Sequence, residues 1–64
     1  MGSLARKLKQ ILKLSGCQFV RNGKGDHEVW FSPITQRHFV VDAGLDYNVA
    51  ANEVLKEAGL PKQF

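Results

Sequence analysis

Sixty-four residues set a single domain, 1–64, with one core of a few elements, because a chain this short buries only about 60% of its unfolded surface. No stretch approaches the roughly 18 apolar residues that cross a bilayer, the N-terminal region lacks signal-peptide anatomy, and the lone Cys17 excludes a disulfide framework or a multi-cysteine zinc site. A soluble, reducing, cytoplasmic setting is expected. The net charge of +3 is unevenly spread: residues 1–25 hold six bases and no acid, residues 26–64 three bases and six acids. A basic half on a small domain points to an anionic partner, nucleic acid first; a merely solvated face is the competing reading.

Ser3 is placed to cap a first helix. Leu4, Leu8, Ile11 and Leu12 recur on one apolar face, with Arg6, Lys9 and Lys13 on the opposite face. Gly16 ends this helix as a C′ residue, putting Cys17 where it touches Leu12, so the thiol reads as a small buried hydrophobe rather than a nucleophile. Cys17 to Asn22 reads as a strand, with Phe19 and Val20 on opposite faces, and Gly23-Lys24-Gly25 as the turn after it. A second strand, His27 to Ser32, alternates His27, Val29 and Phe31 against Glu28, Trp30 and Ser32.

Pro33 to Gln36 is a tight connection. The third strand, Arg37 to Asp42, sets Phe39 and Val41 against His38, Val40 and Asp42. A second helix, capped by Asp46 or Asn48, runs to Ala58, and Leu55-Lys56-Glu57-Ala58-Gly59-Leu60 repeats the stop signal of the first. The order α-β-β-β-α implies an α+β fold: a three-stranded antiparallel sheet with both helices on one face. The other face, expected to include Trp30 and Val40, is left less covered.

Three segments, in this order along the chain, resemble the HicA-type toxins, messenger-RNA-cleaving proteins of bacterial toxin–antitoxin pairs. They are Gly16-Cys17-Gln18-Phe19-Val20-Arg21, Lys24-Gly25-Asp26-His27 and Leu55-Lys56-Glu57-Ala58-Gly59-Leu60. The resemblance implies a fold like a double-stranded RNA-binding domain, endoribonuclease activity and a HicB-type antitoxin partner that covers the site. It places the family's essential histidine on His27. The chain departs from the family at Asp26, where Ser is usual, and at Tyr47 to Asn52, which lacks the polar or basic residues often found there.

The chemistry fits the residue types. RNA is cut without a metal when its 2′-hydroxyl is deprotonated and attacks the adjacent phosphate, and an imidazole suits either proton transfer. Lys24, with Arg21 second, is the nearest cation to steady phosphate charge. Asp26 and Glu28 flank His27, although strand alternation points their side chains away from it. His38 reads as a surface residue on the opposite side of the sheet from His27. Trp30 and Phe31 are candidates to stack on bases, although packing has first claim on them. No metal site or cofactor is expected, since the spacing of Asp26, His27, Glu28 and His38 matches no usual ligand pattern. A second reading of the same fold is a non-catalytic RNA-binding module using Arg6, Lys9, Lys13, Arg21 and Lys24 on phosphates. A third is a protein-interaction domain that pairs an exposed strand edge with a partner.

Overall fold

The computed structural model describes residues 3–64, with side chains from residue 4 onward. Helix α1 spans Ser3–Leu14, strands β1, β2 and β3 span Gln18–Asn22, His27–Ser32 and Arg37–Asp42, and helix α2 spans Asn48–Glu57. The capping role expected of the Ser3 side chain lies outside the described residues. The fold is α+β, with an open antiparallel sheet in the order β1-β2-β3.

Both helices pack on the same face of the sheet. Ala5, Leu8 and Leu12 of α1 and Ala51, Val54, Leu55 and Ala58 of the α2 region close on Trp30, Phe39 and Val41. Cys17 is buried among them, as a small hydrophobe. Each helix ends as its glycine predicts. Cys17 N–H donates to the Leu12 carbonyl and Gly16 N–H to that of Lys13; Leu60 N–H donates to Leu55 and Gly59 N–H to Lys56. With φ of 91° at Gly16 and 83° at Gly59, these are two Schellman ends. Cys17 thus belongs to the cap, and β1 begins one residue later.

Four expectations are corrected. Trp30 is not on the open face: it is 1% exposed and pairs with buried Phe39, whereas Val40 pairs with Val29 on the other face. The register Ser32↔Arg37 fixes this, because each partner across an antiparallel pair shares its partner's face. Glu28, Trp30 and Ser32 therefore face the helices, and His27, Val29 and Phe31 face away with His38, Val40 and Asp42. By the same register, His38 and His27 lie on the same face. Buried Trp30 has no face free for a nucleobase. Finally, α2 is capped by neither Asp46 nor Asn48. Tyr47 is the N-cap, extended at φ −125°, with no side-chain cap bond, and Asn48 is already helical. The entry is set upstream instead: Gly44 and Leu45 N–H groups both bond to Asp42, and Leu45 is buried in the core.

Two polar groups on the helix side are fully engaged. Ser32, 0% exposed, donates its hydroxyl to the Ala58 carbonyl at 2.7 Å and accepts from Ile34 N–H at 3.2 Å. Glu28 accepts from Lys9 Nζ at 2.9 Å and from Trp30 Nε1 at 3.0 Å. The chain after α2 folds back onto it, where the Asn52 amide holds the backbone of Gln63 and Phe64.

Candidate functional site

The hairpin between β1 and β2 fixes His27 through its backbone. Gly23 N–H donates to the His27 carbonyl at 2.7 Å, and His27 N–H donates to the Lys24 carbonyl at 3.2 Å. Gly23 lies so close that a Cβ there would stand 3.4 Å from the His27 Cβ and 3.3 Å from its carbonyl oxygen. A side chain there would press on the His27 backbone, which would have to give by a few tenths of an ångström. One strand over, Ala43 N–H donates to the Asp26 carbonyl at 2.9 Å, tying the hairpin to the β3–α2 loop. The imidazole is thus solvent-exposed on a braced backbone.

Its neighbours follow from the register. Asp42 is directly opposite His27 on β3, on the same face. Arg21 pairs with Val29, so it also faces outward, one row along. It reaches that face because β1 carries a bulge between Phe19 and Arg21, at Val20, which shifts the alternation of the strand by one residue. Phe31 and His38 form a third row, their rings edge-to-face with centroids 5.1 Å apart. The open face therefore gathers two imidazoles, a guanidinium, a carboxylate and an aromatic ring. Sequence reasoning missed Asp42 and His38 as neighbours of this face, since only the pairing register reveals them. Lys24 stands exposed in the turn beside His27.

The cations of α1 lie elsewhere. Arg6, Lys9 and Lys13, with Gln10, Ala5 and Ala43, line a shallow groove of about 340 Å³ on the helix-covered side. Lys9 is already committed to the ion pair with Glu28. Burial pushes the Glu28 carboxyl up, but hydrogen bonds from Lys9 and Trp30 and the charges of Lys9 and Lys13 outweigh it and hold the group below its ordinary value. Arg6 and Lys13 are exposed and, among the described residues, form no ion pair of their own. The sheet thus separates His27, Arg21 and Lys24 from Arg6, Lys9 and Lys13. The two sets are linked through the Asp26–Ala43 bond and the Lys9–Glu28 ion pair, since Ala43 lines the groove and Asp26 and Glu28 flank His27.

Among the described residues, no cluster of three His, Cys, Asp or Glu side chains is placed to hold a metal ion, and no helix is long and apolar enough to cross a membrane. No family model, curated protein or solved structure matches the chain.

Proposed function

We propose that the chain is an RNA-binding endoribonuclease of the HicA toxin type, which cleaves messenger RNA and is neutralised by a HicB-type antitoxin covering the same surface. The observation that carries the reading is His27 itself: an exposed imidazole on a backbone braced at both N–H and C=O, with Arg21 on its face and Lys24 in the adjoining turn. The three ordered sequence segments and the α-β-β-β-α order, which is loosely that of a double-stranded RNA-binding domain, support it.

In this reading His27 removes the proton of a ribose 2′-hydroxyl. The 2′-oxygen attacks the adjacent phosphorus, the bond from phosphorus to the 5′-oxygen breaks, and the imidazolium returns its proton to that oxygen. The products are a 2′,3′-cyclic phosphate and a 5′-hydroxyl. Arg21 and Lys24 steady the charge on the phosphorane oxygens. Glu28 takes no part, because its carboxylate faces the helices. Purified wild type and H27A are compared on messenger RNA with EDTA present, with and without ribosomes. The expected loss is about 10²-fold or more. Equal cleavage by the two proteins removes His27 from the chemistry.

The position of the α1 groove favours a second reading, a non-catalytic RNA-binding module. Arg6 and Lys13 face away from His27 and suit a phosphate backbone that never reaches it. This module binds RNA with a log–log salt slope of about −0.7 per contacted phosphate, and its expression leaves growth unaffected.

A further inference from the structure

The two edges of the sheet are not equivalent. Strand β1 is short and bulged at Val20, a feature that turns an edge away from further pairing. Strand β3 is unbulged: six consecutive residues pair with β2 without a break in register. In an antiparallel ladder, alternate residues bond to one neighbour and the intervening ones face the other side. Ala43 N–H bonds to Asp26, so the residues two and four back in register, Val41 and Phe39, also bond inward. The backbone N–H and C=O groups of His38, Val40 and Asp42 therefore point out of the sheet. Among the described residues, the Leu45 N–H on the Asp42 carbonyl is the one backbone bond recorded on this edge, and a carbonyl has a second lone pair.

We propose that β3 pairs with β3 of a second copy of this chain, antiparallel and centred on Val40, to give a continuous six-stranded sheet. Three observations select this occupant over an unrelated strand. A two-fold axis at Val40 makes Val40↔Val40, His38↔Asp42 and Asp42↔His38 the hydrogen-bonded pairs, so the register that satisfies every outward backbone group also sets an imidazole against a carboxylate twice. At its centre it covers Val40, which is 48% exposed on an otherwise polar edge. Beside the edge runs an open groove of about 590 Å³ lined by Thr35, Arg37, His38, Glu53, Lys56 and Glu57. Arg37 and Lys56 balance Glu53 and Glu57, so the groove carries no net formal charge that would repel a second copy of itself.

The pairing also changes the candidate site. Within one chain His27 and His38 share a face but are four register positions apart, roughly 13 Å along the strands. In the dimer, His38 of the second copy joins the row His27–Asp42, about 10 Å from His27 at two strand spacings. Asp42 then stands between two imidazoles, and each His27 has a second imidazole at the far end of its row. This last step rests on the ribonuclease reading; the dimer does not.

Sedimentation equilibrium of wild type, V40P, H38D and H38K over a concentration series tests the proposal. Wild type should approach twice the 7.2 kDa of one chain. V40P, which removes an outward N–H and no bond to β2, should keep the wild-type circular dichroism spectrum and stay monomeric. H38D, which sets carboxylate against carboxylate, should dimerise about tenfold more weakly, while H38K stays dimeric. A monomeric wild type, or a dimer indifferent to both V40P and H38D, overturns the pairing. If V40P is monomeric yet cleaves RNA at the wild-type rate, the dimer and the ribonuclease reading both stand, and the contribution of His38 is overturned. A wild-type dimer that cuts no RNA leaves the pairing intact and removes the ribonuclease reading.

Discussion

The two faces of the sheet are built on opposite terms. On the helix side, Trp30, Phe39 and Val41 are buried, and the polar groups among them, Glu28 and Ser32, have hydrogen-bond partners. On the open side, His27, His38, Arg21 and Asp42 stand in solvent around the half-buried rings and methyls of Phe31 and Val29. One face is where the chain is held together; the other carries its reactive groups with little structural duty. A substitution should therefore damage stability or chemistry, but seldom both.

The largest break in this division should come from W30A. Removing a buried Trp costs about 3–5 kcal/mol, comparable to the ~3–10 kcal/mol that holds a domain of this size. Circular dichroism should show loss of the cooperative melt.

The two helix ends, alike in sequence, should part next. A Cβ at Gly59 would come within 2.8 Å of an Ile34 methyl and 2.9 Å of a Thr35 methyl, whereas one at Gly16 would meet only Pro33, at 3.4 Å. Both positions need positive φ, so G16A should cost about 1–2 kcal/mol. G59A adds the overlap, for about 2–4 kcal/mol in all. Equal melting losses would show that the β2–β3 turn gives way freely to the end of α2.

Glu28 tests the polar side of the buried face. Its carboxyl is held below the ordinary value of 4.5, so its contribution is present above that value and is lost as pH falls through the lower, folded one. E28Q should lower stability at neutral pH by less than about 1 kcal/mol, and the gap to wild type should narrow in acid. A gap that widens in acid contradicts the assigned direction. The smallest effect belongs to the open face: H27A should shift stability by no more than about 0.5 kcal/mol, as a thermal melt reads, whatever it does to RNA.

Much of this fold is legible in the sequence. The period of Leu4, Leu8, Ile11 and Leu12, the two glycine stops and the alternation within β2 place every element, because each is a local rule. What local rules leave open is which side of the sheet the helices take. By polarity, His27, Val29 and Phe31 look like the inward set, and Glu28, Trp30 and Ser32 the outward one. The reverse holds because Lys9, the Trp30 indole and the Ala58 carbonyl satisfy the polar members of the buried set. Two of those bonds join residues 19 and 26 positions apart, beyond the reach of any periodicity. The candidate site was half legible for the same reason. His27 and Lys24 are adjacent in sequence, but Arg21 reaches their face only through the Val20 bulge, and Asp42 and His38 only through the β2–β3 register. The Asn52 clamp on the chain after α2 was equally hidden, although an amide in the middle of a helix is a hint that it is used elsewhere.

The separation of the faces can be read in one titration. Backbone and imidazole NMR shifts of the wild-type protein are followed as a short, uncleavable 2′-O-methyl RNA is added. Shifts should gather at His27, Arg21 and Lys24, with the Trp30 indole N–H unmoved. Shifts confined to Arg6, Gln10 and Lys13, with His27 silent, would contradict it and assign the RNA to the α1 groove.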